Sequence, residues 1–248
     1  MPMAGSEPDL HYMHPRLAAL YDRLSGWSPD RTFYLELAGA RPQRILDLGC
    51  GTGLICNAYA GRGHRVTGAD PASAMLEIAR NSPRGRDIEW VQSTAEAFRS
   101  DARFDLIVMT GHAFQVLLDD AAIAATFAVV RRQLAAGGAF VFESRNPMVD
   151  WAARWAYGET ELEAGGERIT ETRHFISRDG EFASFEHSYE FADERLVSTS
   201  TLRFAPRATI EALLATARLR VEQLFGDWNR APFAPESSDE MIFIARAE

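Results

Sequence analysis

Apolar and polar positions recur along the chain with two different periods, and the change of period marks its organisation. Residues 1–14 show neither period and read as loose. Leu17, Leu20, Tyr21 and Leu24 fall three or four apart, which predicts an amphipathic helix over 15–26. Ser28-Pro29-Asp30 reads as a second helix entry, with Phe33, Tyr34 and Leu37 on its apolar face. Short apolar runs then alternate with helical stretches. Strands are expected at 44–50, 65–70, 88–93, 104–110 and 139–144. Helices are expected near 54–62 and 72–81, with a third running through 131–134 and ended by Gly137-Gly138.

The pattern shifts after Asn146-Pro147. Residues 160–204 carry short strands broken by Gly165-Gly166, Asp179-Gly180 and Asp193-Glu194, which predicts an antiparallel meander. Within 184–192, Phe185, His187, Tyr189 and Phe191 share one face. Ser184, Glu186, Ser188 and Glu190 share the other, so one face is expected covered and the other wet. A helix at 207–218 and strands near 221–225 and 241–247 resume the earlier pattern. The expected fold is α/β, a doubly wound parallel sheet covered on both faces, with an antiparallel insertion after its fifth strand. Residues 1–147 and 205–248 then form one unit and 148–204 an inserted one.

Composition removes several chemistries. The chain has 248 residues and a formal charge of −9, and all 26 of its basic residues are Arg. Without Lys there is no Schiff-base chemistry, no pyridoxal phosphate enzyme and no P-loop lysine. The acidic balance and scattered arginines argue against nucleic acid and against a membrane surface. Cys50 and Cys56 stand outside any metal-ligand or CxxC pattern, so free thiols in a cytoplasmic setting and no metal are expected. No run approaches 18 uninterrupted apolar residues, and no basic-then-apolar leader opens the chain.

The strongest motif is Ile45-Leu46-Asp47-Leu48-Gly49-Cys50-Gly51-Thr52-Gly53. Its glycines fall between a strand and a helix, where backbone can approach a ligand at the carboxyl edge of the sheet. Asp70 ends the next strand and is placed to accept hydrogen bonds from two ribose hydroxyls. A tight turn alone accounts for one or two glycines, not for the acid, the three glycines and the second acid together.

These residues resemble the class I S-adenosylmethionine-dependent methyltransferases. The segments 66–80, 92–98, 104–117 and 134–144 are similar to the family's second-strand, third-strand, fourth-strand and fifth-strand regions. The resemblance implies a Rossmann-like sheet of seven strands, the last antiparallel, with S-adenosylmethionine as cofactor and S-adenosylhomocysteine as product. It implies that Gly49, Cys50, Gly51 and Gly53 line the donor, that Asp47 holds its ammonium group and Asp70 its ribose. Pro71 and Met75 would lie beside the adenine, and Thr94, Ala95 and Glu96 at its edge, although the family often has Asp where Thr94 stands. Thr110 and Gly111 leave the fourth strand at the same edge, and Tyr21 sits on a helix that covers the pocket.

The expected reaction is methyl transfer to a nitrogen or oxygen of a small molecule. His112 is a candidate base for the acceptor proton, and Arg145 a clamp for an anionic group on it. Both have plainer readings, as a cleft-lining histidine and as a turn arginine. His11, His14, His64 and His174 read as surface or structural. Nothing fixes the place of Trp151, Trp155, Tyr157 or Trp228. The fourth strand lacks the Asn/Asp-Pro-Pro-aromatic signature of nucleic-acid amino-methylases. Expected partners are the acceptor and, among macromolecules, at most a second copy of the chain as a homodimer. A donor-binding protein without transferase activity and, more remotely, a nicotinamide dehydrogenase are the alternatives.

Overall fold

The computed structural model describes residues 8–248. Four helices come first: α1 (Leu10–Met13), α2 (Pro15–Ala18), α3 (Tyr21–Leu24) and α4 (Pro29–Leu37). The helix expected over 15–26 is therefore broken in two, and part of the supposedly loose start, at α1, is helical. That break falls at the turn Ala19-Leu20. Pro15 separates α1 from α2: it pushes His14 to extended backbone (φ −82°, ψ 123°) and begins a new helix at its own position.

The core follows the alternation read from the sequence: β1 (Arg44–Leu48), α5 (Leu54–Gly61), β2 (Arg65–Asp70), α6 (Ser73–Arg80), β3 (Glu89–Gln92), β4 (Phe104–Met109), α7 (Asp120–Gln133) and β5 (Leu134–Arg145). After α8 (Trp151–Arg154) come β6 (Tyr157–Ala164), β7 (Glu167–Asp179), β8 (Phe182–Glu190) and β9 (Arg195–Arg203), then α9 (Arg207–Thr216), β10 (Leu219–Phe225) and β11 (Glu240–Ala247). One sheet has seven strands in the order β10-β11-β5-β4-β1-β2-β3, with β11 antiparallel to both of its neighbours. The second sheet, β6-β7-β8-β9, is antiparallel throughout.

Period-two alternation along buried strands assigns each side chain to a face. Leu46, Leu48, Phe140, Phe142 and Phe243 pack under α7 and α9 with Phe127, Ile210 and Leu214. Ile45, Val108, Val141 and Ile242 pack on the opposite face with Tyr34, Ile55, Cys56 and Tyr59 of α4 and α5. Asp47 and Glu143 share the parity of Ile45 and Val141. The second face thus carries two carboxylates into a closed apolar layer, and each is 0% exposed.

Two boundaries differ from expectation. β5 starts at Leu134, five residues early, because Gly137-Gly138 forms a bulge inside the strand instead of a stop. Phe104 pairs with Leu134 and Leu106 with Ala139, so five steps of β5 oppose two of β4. On the inserted sheet, Ser188 of the face expected to be wet is buried, sheltered between Thr172 and Val197 in the register, whereas Glu190 of the same face is exposed. No helix of the described residues is long and apolar enough to cross a membrane.

Candidate functional site

The carboxyl ends of β1, β2, β3, β4 and β5 meet along one edge, and the loops that leave them carry most of the residues singled out above. The loop after β1 is tied down by backbone. Gly49 N and Cys50 N both donate to Ala69 O, at 2.8 and 3.1 Å, and Gly51 N donates to Asp70 Oδ2 at 2.8 Å. Ala72 N donates to Asp70 Oδ1 at 2.8 Å, which leaves a second acceptor position on each carboxylate oxygen. Burial pushes the Asp70 carboxyl up, against the two amides that favour its charge.

Two glycines of the loop are needed for different reasons. Gly53 has φ +75°, and a Cβ there would lie 2.3 Å from the Trp90 ring. Gly53→Ala is expected to cost about 2–5 kcal/mol of stability, the sum of left-handed strain and overpacking, measured as a shift of the urea midpoint. Gly51 has φ +53° and no protein atom within 4 Å of its Cβ position. Its missing side chain leaves open space in a wall that is otherwise close-packed.

Asp47 borders the loop, and its chemistry is unfinished. Oδ2 accepts from Cys56 Sγ at 3.4 Å, while Oδ1 is buried with no hydrogen-bond partner. Burial pushes its carboxyl up to about 7, and the nearby Asp70 charge acts the same way, opposed by Cys56 and Arg31. A buried carboxylate oxygen left unpaired is costly unless a cation completes it. The ammonium group of S-adenosylmethionine suits that oxygen, and the space at Gly51 admits its chain. The residues present therefore fit this cofactor.

The other predicted cofactor residues divide. Pro71 follows Asp70, and Ser93 N donates to Asp70 O at 3.1 Å, so Thr94, Ala95 and Glu96 start beside it. Thr110 and Gly111 continue from β4 toward the glycine loop, whose Gly49 faces Ala113. Cys50 is buried, with its thiol raised by burial. Met75 is not open to the edge. It is 1% exposed beneath Ala18, Ala72, Tyr12 and Tyr21. Tyr21 and Tyr12 stand 5.9 Å apart, and Asp22 accepts from Thr52 Oγ1 at 2.5 Å, which fastens the helical start of the chain to the glycine loop.

On the acceptor side, His112 sits in left-handed backbone (φ 62°), held by its amide donating to Glu143 Oε1 at 2.6 Å. Its Nε2 lies 3.0 and 3.1 Å from the two oxygens of Glu240, and Nδ1 is 3.9 Å from Glu143 Oε1. Tyr34 donates to the other oxygen of Glu143. Burial lowers His112 to about 3, with Arg145 acting the same way and Glu143 opposing. Burial also raises Glu143 and Glu240 to about 7, the second moderated by Arg145. Burial thus opposes charge on every member, so the imidazole is neutral at pH 7 and the two carboxyls sit near mid-titration. With Nε2–H donated to Glu240, Nδ1 is the basic nitrogen.

Arg145 leaves β5 at the same edge, its guanidinium 4.7 Å from the Trp155 ring centroid and 5.6 Å from that of Trp151. Trp155 and Phe185 stand 5.8 Å apart, while Tyr189 packs with Leu17 and Leu20, so the inserted sheet closes over this edge. His187 and Glu171 are hydrogen-bonded on that covering face at 2.5 Å. His11, which reads as surface or structural from the sequence, is half-buried against the same face with Nδ1 3.0 Å from Ser198 Oγ. Tyr157 is exposed on the inserted sheet, and Trp228 packs on Phe33.

Sequence reasoning missed Glu143, Glu240 and Tyr34. Glu143 did leave a trace, a lone acid inside the apolar run 139–144. Glu240 left none, because only the antiparallel pairing of Glu240 with Arg145 brings it to the site. Among the described residues, no group of three or more His, Cys, Asp or Glu side chains is arranged to hold a metal.

Comparison with known proteins gives a consistent result. A family model described as a methyltransferase domain matches residues 45–138. The chain is 24% identical over 230 residues to the cypemycin N-terminal methyltransferase of a Streptomyces species, covering 91% of this chain and 94% of that protein. The CcbJ methyltransferase of Streptomyces caelestis superposes with a TM-score of 0.77 at 21% identity, over 98% of this chain and 99% of that one. The sugar N-methyltransferase KedS8 of a Streptoalloteichus species gives 0.75 at 18% identity, over 100% and 97%.

Proposed function

We propose that this chain is a class I S-adenosylmethionine-dependent methyltransferase that methylates an amine nitrogen of a small molecule, with a hydroxyl oxygen as the second acceptor type. The observation that carries the donor half is the unpaired Oδ1 of Asp47 beside the open position at Gly51. The neutral histidine and mid-titration carboxyls at His112, Glu240 and Glu143 carry the acceptor half.

The bound donor supplies an already activated methyl group on a sulfonium. The chain therefore has to align and to exclude water, and alignment is worth about 7–11 kcal/mol. Asp47 takes the donor's ammonium group, and the second lone pairs of Asp70 take its ribose hydroxyls. Residues 49–53 present backbone, Pro71 and residues 94–96 border the adenine, Thr110 and Gly111 pass beside the donor, and Tyr12 and Tyr21 close the pocket from α1 and α3. Met75 supports the tyrosines from beneath.

An amine attacks only as the free base. His112 Nδ1 is placed to take the acceptor's proton, and Glu240 beneath Nε2 stabilises the charge that forms. Glu143, wholly buried, positions His112 through its amide. Residues 148–204 act as a lid that keeps water from the reacting atoms. The acidic chain suits small acceptors over nucleic acid. The sugar and N-terminal acceptors named for the relatives fit the same reading.

Incubation with S-adenosylmethionine and a panel of small amines and alcohols tests it by mass spectrometry. At least one amine should gain a methyl group and S-adenosylhomocysteine should accumulate with it. Donor binding with no turnover on any acceptor would favour a binding role instead.

A further inference from the structure

Two arginines face each other across the acceptor side, one from each sheet. Arg145 Nη1 donates to Gln115 Oε1 at 2.9 Å, and its guanidinium is fixed over Trp155. Gln115 is itself fixed, donating to Arg203 O at 3.1 Å. Arg173 lies on the covering face of β7, opposite His187 on one side and Gly158 on the other. It reaches toward Gly158, where a Cβ would stand 3.3 Å from its Nη2, and Gly158 is close in sequence to Trp155. Phe175, two residues along the same face, is opposite Phe185, and Phe185 packs on Trp155. Arg173 is thus close enough to Arg145 for the two charges to be felt together.

Neither has an ion pair among the described residues, although Arg16, Arg154, Arg203 and Arg246 all do. Arg173 Nε is buried with no hydrogen-bond partner. The neighbouring carboxylates are already taken: Glu171 by His187, Glu240 by His112 and Glu143 by Tyr34. Burial lowers the basicity of Arg145, and the nearby Arg173 charge acts the same way. Two neighbouring half-buried guanidinium groups with no ion-pair partner invite an anion, and their planar forks match carboxylate and phosphate oxygens bidentately.

We infer that Arg145 and Arg173 form a subsite for an anionic group of the methyl acceptor, a carboxylate or a phosphate. The acceptor is then a molecule carrying an amine and an anion, with its amine at His112 and its anion under the lid. This rests on the methyl-transfer reading. It adds that the inserted sheet contributes specificity through Arg173.

The test titrates the chain, alone and loaded with S-adenosylhomocysteine, with inorganic pyrophosphate and with succinate at constant ionic strength. One of the two should saturate. Saturation by pyrophosphate assigns a phosphoryl acceptor and saturation by succinate a carboxylate one. Arg173→Gln, and Arg145→Lys, which keeps the charge but loses the fork, should each weaken that anion about tenfold or more. Both variants should keep the melting temperature and the S-adenosylhomocysteine affinity of the parent. No saturation by either anion, or equal affinity in both variants, overturns the subsite. Loss of S-adenosylhomocysteine binding by the unaltered chain would overturn the donor reading instead, and the anion titration of the unloaded chain is scored separately.

Discussion

Asp47→Asn is expected to weaken S-adenosylmethionine about tenfold to a hundredfold, because it removes the charge that completes the donor's ammonium group. The same change should stabilise the unliganded chain at pH 8. The carboxyl titrates at about 7 in the folded chain against 3.8 ordinarily. Between those values the folded chain holds a proton that the unfolded chain has released. The carboxyl's contribution to stability is therefore fully present below 3.8 and is lost as the pH rises through about 7. Asparagine holds no such charge to bury. The variant's melting temperature should match the parent's at pH 4 and exceed it at pH 8, by the equivalent of at most about 4 kcal/mol. Donor binding near pH 7 should also release a proton from Asp47, seen as a dependence of the calorimetric heat on the buffer's ionisation enthalpy. A variant that binds the donor as tightly as the parent would remove Asp47 from the site.

Glu240→Gln is expected to lower kcat about a hundredfold or more, because His112 loses the charge that supports it as proton acceptor, with the donor's affinity unchanged. The glutamine still accepts from His112 Nε2, so packing is kept while the charge beneath the imidazole goes. In the parent, kcat should rise with pH through about 7 as Glu240 ionises. In the variant that rise should flatten. His112→Asn complements it, since asparagine tolerates the left-handed backbone at that position. It should lower kcat as much while the chain stays folded. An unaltered pH profile in Glu240→Gln would leave His112 a cleft-lining residue.

Much of this site could be read from the chain because its parts are local. The loop at 49–53, the acid at 70 and the segments after the third and fourth strands each sit within a few residues of a strand end. Strand ends collect at one edge of a parallel sheet whatever the details of packing. The covered face of 184–192 was legible for the same reason, since a hairpin fixes which residues share a face. What escaped depends on long-range pairing. Glu240 reaches His112 only through the antiparallel docking of β11 on β5, 95 positions after Arg145 in the chain. Arg173 comes near Arg145 only because the inserted sheet folds back over the edge. The split of the first helix shows that apolar spacing does not fix continuity: the spacing was right, but the turn at Ala19-Leu20 divided its residues between two short helices. The bulge at Gly137-Gly138 misled differently, since glycines end a helix and also kink a strand, and the sequence alone does not separate the two.

The central claim is that the Asp47 carboxylate and the glycine loop hold S-adenosylmethionine. Calorimetric titration of the chain with S-adenosylhomocysteine at pH 8 tests it most directly. The expected result is one saturable site in the micromolar range, weakened in Asp47→Asn. A flat titration, with the chain shown to be folded by its melting curve, would contradict it.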